Sequence, residues 1–472
     1  MRGKAEHMVQ SKKSYTSLLN EWGKASLLPL LALVVALALG ALVIWVTSGS
    51  LTTVFDAYGG LIRGAFFKER GLSETFVATV PYVFLSLAVA VGFKSGLFNI
   101  GVEGQFYVGA VAAAWVGQAT NQLPALIHLP LTLLAGAIGG AIWAGIPGYL
   151  KARAGAHEVI TTIMLNYVAF RFTELMVSVP LRDPLSNAVQ TRHVSTAAEL
   201  WSAWEIPTRL QDPLNAFGVA VCFAVVAFFI ARAIRRRNEK QAQSAPLVLT
   251  VGRAKPVRAP LFITRHSSLV AALITGVVAF FALPVMTQLW WPFNDQYDRL
   301  HIGVLLAIAA AVGVWWLLWK TTLGFELRMV GANPNAARYA GVNITRNVVM
   351  AMAISGALAG VAGTIEVLGV SICRCLPLFF SSGYGFDSIA ISLLANNNPF
   401  AILGVSFLFG AMRNGSDLME LTSGVSKYII SLIQALILLL VSAPAIMQWI
   451  FRIRLERKSA ESTVISGWGG KA

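Results

Sequence analysis

The chain has 472 residues, of which 56% are apolar and only 12% charged, with a formal net charge of +15 and a mean hydropathy of +0.67. Water-soluble domains carry about 25% charged residues, so this composition excludes a soluble enzyme or binding module and points to a bilayer. The apolar runs approach the roughly 20 residues that a helix needs to cross a hydrocarbon core, about twice the length of a barrel strand, so the fold class is an all-α polytopic membrane protein.

In chain order, residues 1–26 form a basic tail and the first span follows at 27–46. A secretory signal has an apolar core of only about 7–15 residues with a small-residue cleavage site behind it, so this longer run is expected to be retained. Further spans are expected at 74–93, 97–117, 129–150, 157–180, 214–231, 267–289, 301–319 and 347–370. After them come a broken pair, 386–395 and 399–412, and a last span at 428–446, which makes about 10–12 transmembrane or half-membrane helices in a membrane domain at 27–446. Residues 320–346 form a cytoplasmic loop between spans, and 447–472 a second basic tail. Most of the 37 Lys and Arg lie in the tails and in alternate loops. The positive-inside rule then places both termini in the cytoplasm, and this distribution, with contact to anionic lipid, accounts for the charge without nucleic acid. The pair joined at "NNNP", 396–399, is read as two limbs because a single crossing there would carry the basic tail outside. Broken helices of this kind line polar cavities in transporters.

Small residues recur every fourth position as Gly136, Gly140, Ala144 and Gly148, and again as Ser355, Ala359 and Gly363, the spacing that lets helices approach closely. Polar groups enter the spans at three places. In "NIGVEGQFY" Asn99, Glu103 and Tyr107 are four apart and would form one stripe on a helix, with Gln105 on another face as a packing contact. The segment "HEVITTIMLNY" adds Glu158 and Asn166, and "SSGYGFDSIA" adds Tyr384 and Asp387. Charged side chains in a bilayer usually face protein or a water-filled route, so these seven residues either line a translocation path or form a structural hydrogen-bond network.

Enzyme motifs are absent from the sequence: there is no HExxH, no GxSxG and no clustered His with carboxylates at metal spacing. Cys222, Cys373 and Cys375 have no metal spacing, and one at least must stay unpaired. Each Gly-Lys pair is followed by Ala and lacks the preceding glycine pattern of a phosphate loop, so ATP, if used, binds another chain. In the cytoplasmic loop Asn333 suits a helix N-cap, Pro334 the first turn and Gly341 the position past the end, which gives a short helix about 10 Å long.

Four motifs in order, "GFKSGLFNIGVEGQFYVGA", "AHEVITTIMLNYVA", "TTLGFELRMVGANPNAARYAGVN" and "GYGFDSIAISLLANNNP", resemble the permease subunits of ATP-binding-cassette importers. The branch is that of ribose and branched-chain amino acid permeases, and within it the simple-sugar and nucleoside permeases. The resemblance implies a type II importer-like permease in the bacterial cytoplasmic membrane that works by alternating access. It implies a second homologous permease, a separate ATPase holding ATP and Mg, an extracytoplasmic substrate-binding lipoprotein, and no cofactor on this chain. The loop at 327–343 would dock on the ATPase, with Arg328, Asn333, Pro334, Ala337, Arg338 and Gly341 as coupling residues, and the segment from Asn99 to Gln105 would border the path. A nucleoside is the expected solute, with riboflavin or a simple sugar as alternatives. A proton-coupled secondary transporter and a membrane scaffold are the alternatives of another class. Similar permeases pass almost directly from the outer loop after "LNYVAFRF" to the span at 301–319, whereas here 214–291 intervenes with two apparent spans and a basic loop.

Overall fold

The computed structural model describes residues 15–119, 123–244, 261–289, 292–293 and 295–442. Outside these residues lie 1–14 of the first expected tail, the whole of the second at 447–472, the end of the last expected span at 443–446, and 245–260 of the basic loop. The described residues are mainly helical, with three isolated β-bridges and no strand.

Helix α1 (Tyr15–Ser48) starts well before the apolar window of the first span. Next comes a unit absent from the expected spans: α2 (Leu51–Ile62), prolonged by a π-helical turn at Arg63–Phe67. Asp56, the Gly59–Gly60 pair and Arg63 interrupt its hydropathy, and it is too short to cross a membrane. Then follow α3 (Gly71–Lys94), α4 (Val102–Ala119), α5 (Ala125–Ala154) and α6 (Glu158–Ser178). Beyond an outer loop lie the short α7 (Ile206–Arg209), α8 (Pro213–Ser244) and α9 (Leu261–Leu289). They are followed by α10 (Gly303–Lys320), α11 (Thr322–Ala332), α12 (Pro334–Tyr339) and α13 (Ile344–Ile365), the last extended by a second π turn, Glu366–Val370. The chain ends in α14 (Tyr384–Leu394), α15 (Pro399–Ser423) and α16 (Tyr428–Ser442). Among the described residues, six helices are long and apolar enough to cross a membrane: α1, α3, α5, α8, α10 and α13.

Helix α3 is apolar on all sides and is the buried centre of the bundle, with Tyr82, Leu85 and Leu87 fully inaccessible. Beside it α4, α5 and α13 meet backbone to backbone. A Cβ at Gly109 of α4 would strike Gly360 of α13, and one at Gly360 would strike the Gly136 carbonyl of α5. Gly140 and Gly356 face each other in the same way, and Gly148 packs on Met352. The α5 row of small residues is therefore an interface, as its spacing predicts. Its counterpart on α13 is Gly356 and Gly360, while Gly363 of the expected row turns to Phe106 and Ala110 of α4.

The break at 396–399 is present. Asn396 and Asn397 have φ of +52° and +54°, in the left-handed region that Asn tolerates better than most residues. Asn398 caps α15 by accepting the Phe400 N–H at 3.0 Å, and Pro399 occupies the first turn. The limbs differ from expectation in length. Helix α15 has 25 residues, about 37 Å at 1.5 Å per residue, and runs past 412 to a left-handed Gly424. Hydropathy falls at Arg413, but nothing in 413–423 stops a helix. Only α14 is a half-helix, of 11 residues. The outer half of its crossing is made by the non-helical segment 371–383, whose backbone pairs with the outer loop: Val194 N–H to Arg374 O and Thr191 N–H to Leu376 O, both 3.0 Å.

The outer loops form a cap. Arg299 donates to Glu74 at 2.8 Å, Arg70 pairs with Asp295, and Ser73 with Asp298. Cys373 and Cys375 are joined in a disulfide, in keeping with an oxidising outer side, and Cys222 is free. Burial pushes the Glu199 carboxyl above its ordinary pKa, with the Arg374 charge opposing. Helices α8 and α9 pack on each other at the edge of the bundle, presenting Phe217, Phe229, Leu273 and Phe281 outward, as a peripheral hairpin in lipid would.

Overpacking costs about 1–3 kcal/mol, more where backbone must move. Gly140→Val is therefore expected to lower the thermal stability of the detergent-solubilised protein, whereas Gly145→Val on the same helix, with open space around it, leaves it unchanged. Equal unfolding temperatures for the two variants, read by intrinsic fluorescence, would refute the backbone contact.

Candidate functional site

The turn between α3 and α4 places the first polar group. Helix α4 begins only at Val102, so Asn99 lies ahead of it and not on a stripe with Glu103 and Tyr107. Asn99 and Gln105 exchange amide hydrogen bonds of 2.9 Å, and Asn99 also donates to Ser355 of α13 at 2.8 Å. Gln105 is thus a packing contact. Asn166 of α6 donates to Ile100 O at 3.0 Å and accepts the Gly104 N–H at 2.9 Å. Both asparagines fasten the start of α4 to its neighbours. Glu158 sits apart at the N-terminus of α6, bridged to Lys151 at 2.9 Å at the end of α5.

The other four sequence-predicted residues converge. Glu103 is buried and accepts the Ser381 hydroxyl at 2.5 Å and the Gly385 N–H. A carboxylate therefore occupies the N-terminus of the half-helix α14, where free N–H groups and the helix dipole favour negative charge. Tyr107, one turn further along α4, packs on Phe380 with ring centroids 4.6 Å apart. Tyr384 lies 4.7 Å from Tyr82 of α3, whose hydroxyl donates to Asp387 at 3.0 Å.

Sequence reasoning missed the cation that holds this cluster together. Arg413 of α15 lies 3.9 Å above the Tyr384 ring, reaches the Tyr82 hydroxyl at 3.4 Å and bonds Ser382. It stood one residue beyond the expected limb, and only the full length of α15 brings it inside. Tyr82 was hidden in a long apolar run. Glu366, in the π turn after α13, is also buried, with one carboxyl oxygen unpartnered. Four acidic and basic groups, three tyrosines and two serines thus meet where α3, α4, α13, α14 and α15 converge. Ser382 and Phe386 are exposed at its edge, so the cluster opens to one side of the bundle.

The cytoplasmic helices have the caps their sequence predicts. Asn333 accepts the Asn335 and Ala336 N–H groups at 3.0 and 3.1 Å. Gly341, at φ +80°, closes α12: Val342 N–H bonds Ala337 O and Gly341 N–H bonds Arg338 O, both 3.0 Å. Arg328 is tied back to Leu318 O at 2.9 Å, while Arg338 and Tyr339 point into solvent. The buried Leu327, Val330 and Ala337 share a small core with Leu97, Val348 and Met352. Gly331 abuts Gly96, where a Cβ would come 2.8 Å from its neighbour's Cα. Helices α11 and α12 are thereby coupled to the turn that leads into Glu103.

The family model for the branched-chain amino acid transport system permease component matches residues 71–442. This chain belongs to that family. The segment 214–291 lies within the matched range. A guanosine ABC transporter permease of Bacillus subtilis (strain 168) is 33% identical, over 92% of this chain and 97% of its own length. A nucleoside ABC transporter permease of Lactococcus lactis subsp. cremoris is 26% identical over 95% and 99% of the two chains. A glucose ABC transporter permease of Haloferax volcanii is 29% identical over 87% and 85%. No solved structure matches. The protein is thus a multi-pass integral membrane permease of the ABC importer class, which associates with an ATPase and a substrate-binding protein, and is a transport component and not an enzyme.

Hydrogen bonds to charged groups contribute about 1.5–3 kcal/mol each. Arg413→Met is expected to destabilise the protein by about 2 kcal/mol, and Asp387→Asn to recover part of that loss in the double variant. Strictly additive shifts in a double-mutant cycle of thermal unfolding would show that the cluster is not one unit.

Proposed function

We propose that this permease forms half of the path of a nucleoside importer, paired with a second homologous permease subunit and fed by an extracytoplasmic binding lipoprotein. The observation that carries the reading is the near full-length match to a guanosine permease and a nucleoside permease. The mid-bundle cluster around Glu103, Tyr107, Tyr384 and Asp387, with Arg413, borders the path; Asn99 and Asn166 hold its wall, and Glu158 lies at its cytoplasmic end. ATP and Mg belong to the partner ATPase, and this chain carries no cofactor. Closure of the ATPase pair pushes α12, and the shared core passes the movement through α11 to the turn before α4. The glucose permease of Haloferax volcanii and a probable riboflavin import permease of Treponema pallidum, 23% identical, mark the sugar and riboflavin alternatives.

Cells expressing the complete transporter are expected to take up labelled guanosine in an ATP-dependent way and to leave ribose behind. Uptake of riboflavin or a sugar in its place would replace the nucleoside reading, and uptake by this chain alone under a proton gradient would replace the ABC mechanism.

Arg338 is exposed on a rigidly capped helix, so Arg338→Glu is expected to reduce co-purification of the ATPase at least tenfold while membrane insertion is kept. Unchanged recovery of the ATPase would remove α12 as the docking element.

A further inference from the structure

We propose that the cleft between α4, α6 and the segment 371–383 binds the planar heteroaromatic ring of the solute by stacking, with its polar edge read by Thr173, Arg171 and Glu174; this rests on the nucleoside reading above.

The cleft encloses about 250 Å³. Tyr107, Tyr167 and Phe170 form one wall, Tyr107 and Phe170 being 4.7 Å apart, and Phe379 stands opposite. Phe379 is 77% exposed and has φ of +57°, a left-handed conformation that is strained for a bulky residue and collects at ligand sites. It is held there by pairing of Leu378 N–H with Val189 O at 3.1 Å and by the packing of Phe380 on Tyr107.

Two further observations point to a ligand. Thr173 lines the cleft, is only 3% exposed, and its hydroxyl has no hydrogen-bond partner. By contrast the buried Thr162 satisfies itself on Glu158 O at 2.7 Å and Thr132 on His128 O at 2.8 Å. An unpaired buried hydroxyl is costly, and a polar ring edge in the cleft would satisfy this one. Arg171 pairs with Glu174 at 2.6 Å, yet its side chain is 81% exposed. It lies seven residues from the outer end of α6, about 10 Å inside. Exposed charges at that depth are tolerated against water or protein and not against lipid, so this face of α6 borders an aqueous route. Aromatic walls with a donor and an acceptor at the edge suit a ring carrying both kinds of group, as nucleobases do, since any such ring presents a face for stacking.

The test uses the complete transporter in proteoliposomes with labelled guanosine as probe. Tyr167 is 62% exposed, so its truncation removes little packing. Tyr167→Ala is expected to raise the KM for guanosine about tenfold, with little change in kcat, and Tyr167→Phe to restore it. Thr173→Val, which keeps the shape, is expected to raise KM about fivefold. Wild-type KM in both variants, or loss of the second permease from the purified complex, would overturn the proposal, the latter making this face a subunit interface. If the wild-type transporter carries riboflavin and not guanosine, the nucleoside reading falls, and the same KM shifts measured with riboflavin support the cleft. If it carries only glucose or ribose, both fall, since neither solute has a planar ring.

Discussion

The backbone contact of α4, α5 and α13 is the constraint on which the rest depends. Gly109, Gly136, Gly140, Gly356 and Gly360 bring three helices together with no side chains between them. In a bilayer this is how helices associate, because lipid offers apolar side chains as good an environment as protein does. The approach sets the position of α4 beside α3, and therefore the point at which Glu103 enters the bundle. It also leaves polar groups near the contact within reach of partners on other helices, as Ser355 is of Asn99.

From that position follow the half-helix and its charge. Helix α14 begins inside the membrane with free N–H groups, and the Glu103 carboxylate accepts one of them. A buried carboxylate requires compensation, and Arg413, Tyr82 and two serines supply it around Glu103 and Asp387. Arg413, Tyr82 and the adjacent Ser381 and Ser382 come from three different parts of the chain, so the cluster is assembled only when α3, α4, α14 and α15 are all in place. The same dependence makes it suited to alternating access: movement of any one helix changes the surroundings of every charge in it. The shared core of Leu327, Ala337 and Leu97 ties α11 and α12 to the turn before α4, the route the proposed coupling uses.

Much of the architecture was legible locally. The apolar windows of α3, α5, α8, α10 and α13, the small-residue row on α5, the caps of α12 and the break at 396–399 all depend on neighbours within a few residues. The limb at 399–412 is too short because the end of an apolar window is not the end of a helix. Helix α15 continues through Arg413, Asp417 and Glu420 because it stays packed on the bundle, where Arg413 finds partners on α3 and before α14. Helix α2 was passed over for the converse reason: its glycines and charges break the hydropathy of a segment that packs on α15 and never spans. Asn99 was drawn into a stripe by its spacing, although the chain turns there and the helix starts three residues later.

Composition and motif order by themselves determined that this is a polytopic permease with a short capped helix between spans, because lipid solvation and helix capping act over short stretches of chain. Only the tertiary structure decided which polar residues form one cluster, that Arg413 belongs to it, and that Asn99, Asn166 and Glu158 have separate partners. Pairing between residues some three hundred positions apart, as between Tyr82 and Asp387 or Arg413, depends on how helices cross. Crossings are set by side-chain shape at contacts that no local pattern records.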